Sequence, residues 1–295
     1  MKNRPDMVAC ASHSRAWLRA GSLARIESFL RSCLNPDGGF RGRSAKSDLY
    51  YTAFALDALA ALSATLPGER VRNYLASFGD GDGLNFAHLA SGVRCRGALS
   101  TVQDAGRSRA FLERLENYRS ADGGYNHLSL RAPRGTVYGA YVAFAAWAAA
   151  GEPIPQPEKL LESIRSLRTA NGGYANEPGA GQSVVTATSA AVMLQRLLAD
   201  AADETAVRAL QSCECPAGGF LAFPGAPGPD LLSTASALYA LRRAARPPAS
   251  PEMHCDFISS LWSESGGFSG HPADSVVDCE YTFYALLALG ACVST

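Results

Sequence analysis

Apolar residues recur along the chain in two kinds of helical segment. Segment 154–168 carries apolar residues on one face and charged residues on the other, which is typical of a helix with one solvent-facing side. Its apolar residues are Leu160, Leu161, Ile164 and Leu167. Other segments are apolar nearly all round and predict inner helices packed on most sides. They cover 138–150, 184–198, 231–241 and 281–293.

A glycine-glycine-aromatic motif separates these segments and sets a period. It occurs at Gly38-Gly39-Phe40, Gly123-Gly124-Tyr125, Gly172-Gly173-Tyr174, Gly218-Gly219-Phe220 and Gly266-Gly267-Phe268. The last four copies lie 46 to 49 residues apart, and the first gap of 85 residues leaves room for a degenerate copy at 79–84. We expect the glycines to end each outer helix and the aromatic residue to pack in the core. Six repeats of about 45 residues predict a chain of helix pairs.

Six helix pairs can stack as an open spiral or close into a ring, and two features favour the ring. The inner segments are rich in alanine, which allows close approach around an axis. The first and last repeats resemble each other, 47–56 with 277–286, and lack the polar outer faces that cap a spiral. We therefore expect an all-α closed ring in a single domain, 1–295, with residues 1–13 as a candidate flexible N-terminus.

Composition and charge exclude several classes of protein. Lys plus Arg equals Asp plus Glu at 27 each, so no overall field attracts nucleic acid. The longest apolar segments are too short to span a bilayer, and the N-terminus lacks the apolar core of a signal peptide. We expect a cytoplasmic protein with no transmembrane segment. Its eight cysteines are widely spaced, which predicts reduced, buried thiols.

The segment 38–51, GGFRGRSAKSDLYY, resembles the diphosphate- and zinc-binding repeat of protein prenyltransferase β subunits. The resemblance implies an α/α toroid (an α6/α6 barrel) that pairs with a helical partner subunit. It also implies that Arg43 and Lys46 contact an isoprenoid diphosphate and that Asp48 takes the place of the zinc-binding aspartate. The zinc-binding cysteine of the family falls on Tyr50 here, and His88 lies at about the distance of the zinc-binding histidine.

Asp48 and His88 are therefore only weak metal candidates. A zinc site normally needs three or four protein ligands, so zinc is not supported by a full ligand set, and magnesium stays open.

Two helix starts are similar to the acidic Asp-x-Asp-Asp-Thr-Ala motif of class II terpene cyclases. They are Asp278-Cys279-Glu280-Tyr281-Thr282 and Asp48-Leu49-Tyr50-Tyr51-Thr52, and neither has the full acid set. The resemblance implies a carboxylic acid kept protonated by a neighbouring carboxylate, for which we assign Asp278 and Glu280, with Asp48 across the ring. Tyrosines would border the substrate and offer π faces to a carbocation. These tyrosines are Tyr50, Tyr51, Tyr138, Tyr281 and Tyr284.

An aspartate at a helix start is also a common N-cap, and this reading explains Asp48, Asp230 and Asp278 equally well. It does not explain Glu280 in a strongly apolar helix, because a buried carboxylate is costly unless it is paired or lines a cavity. Glu280 is therefore the first candidate for catalysis.

The leading interpretation is an isoprenoid-handling enzyme that binds a prenyl diphosphate in an apolar central cavity and transfers the prenyl group to a small acceptor. Acid-initiated cyclisation through Asp278 and Glu280 is the first alternative. A non-enzymatic toroid that binds a lipid or a partner helix is the second. Because the same fold also hosts carbohydrate enzymes and lanthionine cyclases, fold alone does not exclude those reactions.

Overall fold

The computed structural model describes residues 6–99, 102–201 and 203–293. Within them it contains thirteen α-helices and two small antiparallel sheets. The helices are α1 (Asp6–Ser12), α2 (Ala20–Ser32), α3 (Leu49–Ala61), α4 (Gly68–Ala76), α5 (Phe86–Leu99), α6 (Val102–Leu115), α7 (Val137–Ala149), α8 (Pro157–Arg165), α9 (Val185–Ala199), α10 (Glu204–Gln211), α11 (Leu231–Arg243), α12 (Pro251–Ser260) and α13 (Cys279–Ala291). The strands are β1 (Phe220–Leu221), β2 (Pro229–Asp230), β3 (Phe268–Ser269) and β4 (Val277–Asp278), and two 3-10 turns lie at His13–Ala16 and Glu116–Tyr118.

Six inner helices form a closed ring. They are α3, α5, α7, α9, α11 and α13, and each packs against the next. Helix α13 also packs against α3, so the first and last helix pairs meet. The outer helices α2, α4, α6, α8, α10 and α12 contact the inner ring, and the hydrophobic core lies between the two layers. The predicted all-α toroid of six helix pairs is confirmed.

The sequence pattern predicted that the glycine pairs end the outer helices, and this was wrong. The glycine pairs instead form a hairpin turn further along the chain. Helix α2 ends at Ser32, whereas Gly38 lies in the turn that pairs Leu34 with Phe40. Gly38 has φ +93°, and a Cβ there would lie 2.1 Å from the carbonyl oxygen of Arg70 in α4. Glycine is therefore required where this turn touches the next outer helix. The aromatic residue that follows is buried, as predicted.

The last copy of the motif closes the outer layer in the same way. Gly266 has φ +96°, and a Cβ there would lie 2.3 Å from the carbonyl oxygen of Arg25 in α2. The turn of the sixth repeat thus contacts the outer helix of the first, and both layers of the toroid are closed.

Helix α1 lies at the end of the inner ring where the inner helices finish. Part of the segment 1–13, the candidate flexible terminus, is this helix, and residues 1–5 lie outside the described residues. Helix α1 packs on α3 and α13, and the Tyr239 hydroxyl of α11 donates a hydrogen bond to Asp6 at 2.6 Å. The Tyr141 hydroxyl of α7 donates to the sulfur of Met7 at 3.2 Å. Helix α1 therefore touches four of the six inner helices.

The other sequence-based expectations about the chain concern thiols and membranes. All eight cysteines are free thiols, and all except the partly exposed Cys215 are buried. Within residues 6–99, 102–201 and 203–293, no helix is both long enough and apolar enough to cross a bilayer.

Candidate active site where the first and last repeats meet

Contacts between residues far apart in the chain join α3 and its preceding loop to α13 and its preceding loop; we call this region the junction. The Arg43 Nε atom donates to Asp278 Oδ2 at 3.0 Å, and Arg43 Nη2 donates to Asp274 Oδ2 at 2.9 Å. The Tyr50 hydroxyl donates to Glu280 Oε1 at 2.6 Å. These contacts bring together four of the residues that the sequence singled out, which are Arg43, Tyr50, Asp278 and Glu280.

The local fold fixes both aspartates of the junction as helix N-caps. Asp48 accepts a hydrogen bond from the Tyr50 backbone N–H at 2.7 Å, and Asp278 accepts one from Tyr281 at 2.9 Å. Asp230 caps α11 in the same way, through the backbone N–H of Ser233 at 2.8 Å. The capping interpretation therefore holds for all three aspartates, and each carboxylate has a structural partner before any chemistry is considered.

Asp278 is the more deeply buried acid of the pair with Glu280, since only 1% of its surface is exposed. Burial raises the pKa of Asp278, while the backbone N–H of Tyr281 and the guanidinium of Arg43 lower it. The carboxylate is thus enclosed between a helix start and an arginine whose side chain remains 42% exposed. It is held as part of the junction and does not point freely into the interior.

Glu280 has a different environment and different partners. It is half-buried in the first turn of α13, and burial raises its pKa to about 7. The Tyr50 hydrogen bond lowers this pKa, and the negative charge of Asp278 raises it. The two carboxyl groups have separate side-chain partners, Arg43 for Asp278 and Tyr50 for Glu280. The neighbouring charge of Asp278 nevertheless favours the protonated form of Glu280, as the acid-pair hypothesis requires. Glu280 is the one with a pKa near neutrality.

Asp48 is paired with His88, at 3.2 Å between Asp48 Oδ2 and His88 Nε2. This hydrogen bond lowers the pKa of Asp48 and raises that of His88, so Asp48 is a paired anion and not a proton donor. In the part of the chain that the structure describes, no group of three or more His, Cys, Asp or Glu side chains is arranged to hold a metal ion. Asp48 and His88 therefore come together without completing the ligand set of a zinc site.

The candidate tyrosines fall into two groups. Tyr51 and Tyr281 lie at the rim, where their rings cover glycines: a Cβ on Gly42 would lie 2.2 Å from the Tyr51 ring, and one on Gly270 would lie 2.3 Å from the Tyr281 ring. Their position is explained by packing.

Tyr50 and Tyr284 instead surround Phe54, with ring centroids 4.9 and 5.4 Å from it. Burial and the nearby charge of Glu280 raise the pKa of both Tyr138 and Tyr284. Tyr138, on α7, is 37% exposed and therefore lies at the edge of this region, whereas Tyr50 and Tyr284 are more deeply buried.

The family-level comparison agrees with the toroid fold. Residues 3–181, 86–242 and 231–294 match the prenyltransferase alpha-alpha toroid domain. The chain belongs to this family. No curated protein matches the sequence.

Solved structures with the same toroid fold include enzymes of different chemistry. Protein geranylgeranyltransferase-I from Candida albicans, complexed with GGPP, is 13% identical, with a TM-score of 0.66 over 90% of this chain and 89% of that one. A variant of the type II terpene cyclase MstE from Scytonema, in complex with geranylgeranyl dihydroxybenzoate, is 14% identical, with a TM-score of 0.65 over 96% and 97%. A Klebsiella pneumoniae protein described as a possible member of the GH105 family is also 14% identical, with a TM-score of 0.57 over 93% of each chain. At these identities the likeness is one of fold.

An ion pair inside the prenyltransferase toroid was missed by the sequence reasoning. Arg94 Nη2 of α5 donates to Asp57 Oδ2 of α3 at 2.6 Å, with side chains only 18% and 7% exposed. The Arg94 guanidinium also lies over the Phe54 ring, 4.7 Å from its centroid, and it interacts with the charge of Glu280. The available signal was Asp57, the one charged residue in the segment 49–61.

The interior wall of the toroid continues from Glu280 toward α1. Tyr284 and Tyr141 lie along this wall and are half-buried, and burial raises the pKa of both phenols. Tyr141 contacts Met7 of α1 at the far end. The interior thus presents an acid at one end, an aromatic wall with one ion pair, and a helix across the other end.

Two surface hollows lie away from this interior. One of about 330 Å³ is bordered by Glu214, Cys215 and His254, and one of about 220 Å³ lies beside Trp17 and Cys292. His254 accepts a hydrogen bond from the Gly219 backbone N–H and contacts Glu214, so both ring nitrogens have structural partners. Neither hollow contains a residue that the sequence singled out.

Proposed function

We propose that this toroid is an isoprenoid-handling enzyme that binds a prenyl chain inside the inner ring and uses Glu280 as a Brønsted acid to start its cyclisation. The observation that carries the proposal is the environment of Glu280. Its carboxyl group has a pKa of about 7, accepts a hydrogen bond from Tyr50 and faces an aromatic interior. A carboxyl group that is substantially protonated at neutral pH is what acid catalysis requires.

The chemical step follows from these contacts. Protonated Glu280 transfers its proton to one carbon of a trisubstituted double bond, whose π electrons form the new C–H bond and leave a tertiary carbocation. The carboxylate left behind is stabilised by the Tyr50 hydroxyl and by the positive charge of Arg94. The rings of Phe54 and Tyr284 stabilise the cation through their π faces. The next double bond supplies the electron pair of the new C–C bond, and the final cation loses a proton to solvent.

Charge at the junction favours this reaction over diphosphate binding. Arg43, expected to contact a diphosphate, is already paired with Asp274 and Asp278, and two carboxylates beside it repel a polyanion. Prenyl transfer to a small acceptor remains the second candidate. It is supported by Lys46, which is exposed on the same loop and has no ion-pair partner in the described ranges. In that reaction ionised Glu280 would accept the proton of the acceptor.

The ligand proposed for the interior is a hydrophobic isoprenoid, and geranylgeranyl compounds are the first to test, because the similar structures hold GGPP and geranylgeranyl dihydroxybenzoate. A helical partner subunit, a cytoplasmic location and a magnesium cofactor stay predictions.

The deciding experiment compares Glu280→Gln with Glu264→Gln, a control at an exposed glutamate of the same repeat. Geranyl, farnesyl and geranylgeranyl diphosphates and geranylgeranyl dihydroxybenzoate are the substrates. The readouts are chromatographic separation of isomers with mass detection, and an assay for inorganic diphosphate. Cyclisation gives a product of unchanged mass, whereas transfer releases inorganic diphosphate. We expect Glu280→Gln to lower turnover by about 100-fold or more and Glu264→Gln to leave it unchanged. Equal turnover of the two variants would remove Glu280 from the mechanism.

A further inference from the structure

Two exposed leucines stand on the loop 126–134, which we call the Leu128 loop. Leu128 is 66% exposed and Leu130 is 60% exposed, the highest values among the large apolar residues that the structure describes. The loop connects the buried Tyr125 to Thr136, the N-cap of α7. It therefore lies at the end of the inner ring where the inner helices begin, on the same side as Glu280.

Hydrogen bonds hold the leucines in this outward position. Asn126 Oδ1 accepts from the backbone N–H groups of Leu128 and Ser129 at 3.0 and 3.1 Å, and Asn126 Nδ2 donates to the carbonyl oxygen of Arg134 at 2.9 Å. The Arg131 backbone N–H donates to the carbonyl oxygen of Asn117 at 3.1 Å. The loop therefore has a defined conformation, and this conformation exposes both leucines to solvent.

The charge of the Leu128 loop is wholly positive. Arg131 and Arg134 are exposed, and neither has an ion-pair partner in the described part of the chain. The sequence contains no acidic residue between Asp122 and Glu152, and the nearest negative charge on the neighbouring loop is Glu177, which acts on His127. Two exposed leucines next to two exposed arginines are complementary to a surface that has an anionic outer layer and an apolar layer beneath it.

The loop also adjoins the surroundings of Glu280. The His127 ring packs edge-on against Tyr138 at 4.8 Å between centroids, and Tyr138 borders the Glu280 site. The loop that precedes α13, at the same end of the ring, exposes Val276 by 43%.

We propose that the Leu128 loop docks the protein on the surface of an anionic lipid bilayer. Leu128 and Leu130 would enter the boundary between headgroups and acyl chains, and Arg131 and Arg134 would bind lipid phosphates. Docking would place Tyr138, and the Glu280 site that it borders, close to the membrane, where an isoprenoid would already be dissolved. This inference goes beyond the proposed function, because it concerns where the protein binds and not which bond it makes.

The test is sedimentation of the full chain with vesicles of phosphatidylcholine alone and with vesicles that also contain the anionic lipid phosphatidylglycerol, whose surface potential attracts basic segments. We expect binding to the anionic vesicles that weakens as salt is raised. Leu128→Ser/Leu130→Ser should weaken it at least tenfold. Arg131→Gln/Arg134→Gln should weaken it roughly tenfold on anionic vesicles and little on neutral ones.

The matched control is Arg72→Gln/Arg165→Gln, which removes two exposed arginines from the outer helices α4 and α8. It should change binding less than about twofold, despite the same change in net charge. Thermal unfolding of each variant checks that the fold is retained. The proposal is overturned if the wild-type protein ignores anionic vesicles, or if the leucine variant binds them as the wild type does. It is also overturned if light scattering shows that the leucines instead hold two copies of the chain together. The vesicle-binding experiment does not depend on catalysis. Failure of docking and failure of Glu280 as the acid are therefore separate results.

Discussion

The Tyr50 hydroxyl and the Glu280 carboxylate meet at 2.6 Å, although 230 residues separate them in the chain. One residue belongs to the first repeat and the other to the last. The hydrogen bond therefore exists only in the closed ring, and it connects closure directly to the pKa of the proposed acid. A reaction that depends on Glu280 depends on the junction being intact.

Replacing Tyr50 by Phe should move the pH dependence of the reaction. In the wild type the hydrogen bond from Tyr50 lowers the pKa of Glu280. Without it, the pKa of Glu280 should rise above about 7, and the alkaline limb of kcat/KM should shift to higher pH. The maximal rate should fall by about tenfold or more, because the carboxylate formed in the proton transfer loses its donor. Tyr51→Phe, at the adjacent rim tyrosine, is the control and should leave both quantities unchanged. A limb that stays in place would show that Tyr50 does not set the acidity of Glu280.

Glu280→Gln should change the pH dependence of stability. The pKa of Glu280 is about 7 in the folded protein against an ordinary value of 4.5, so between these pH values the folded state holds a proton that the unfolded state has released. The stability that Glu280 contributes is complete below pH 4.5 and is lost as the pH rises through 7, by about 3 kcal/mol at most. In urea unfolding, the free energy of unfolding of Glu280→Gln should increase relative to that of the wild type as pH rises. The gain should be absent in Glu264→Gln, and a flat difference for Glu280→Gln would contradict the raised pKa.

The interior pair of Arg94 and Asp57 should behave as one unit. Arg94→Met or Asp57→Leu alone leaves a buried charge without its partner and should cost about 3–5 kcal/mol of unfolding free energy. The double variant should cost much less than the sum, and a double-mutant cycle in urea measures this coupling. The exposed pair of Arg109 and Glu113 is the comparison and should couple by less than about 0.5 kcal/mol. Additive costs at Arg94 and Asp57 would mean that the two charges act independently.

Gly266→Ala tests the closure of the outer layer. Gly225 also has a left-handed backbone, φ +88°, but open space where a Cβ would lie, so Gly225→Ala isolates the cost of that conformation at about 1–2 kcal/mol. At Gly266 the Cβ would additionally lie 2.3 Å from the Arg25 carbonyl oxygen, and we expect a total cost of about 3 kcal/mol or more in thermal or urea unfolding. Equal costs for the two variants would show that the contact with α2 yields easily.

The toroid was predictable because its determinant is local and repeated. Each glycine-glycine-aromatic turn uses short-range geometry to contact the next outer helix, so the motif reports the repeat directly. The apolar pattern also located the inner helices closely: 138–150 was predicted for α7, which covers Val137–Ala149. The placement of the glycines beyond the helix ends was not predictable from the motif, because a left-handed glycine serves a helix end and a hairpin turn equally well.

The sequence indicated which segments meet but not which of their side chains make contact. Similarity between the first and last repeats predicted that the segments 47–56 and 277–286 stand side by side, without pairing Tyr50 with Glu280. It could not indicate that Asp278 turns back to cap α13 while Glu280, two residues on, faces Tyr50. Arg94 was missed because its interior position depends on the rotation of α5 against α3, which no local pattern specifies. Contacts of this kind appear only after the helices are packed.

Helix α1 has a consequence for how the molecule assembles. Its Asp6 bonds to Tyr239, 233 positions further along the chain, and its backbone packs against α13. During synthesis the segment that forms α1 is made long before these partners, so it must wait without its binding surface until the last helix pair is in place. The first described segment of the chain is therefore among the last to reach its final position. Once in place, it contacts both the first inner helix, α3, and the last, α13.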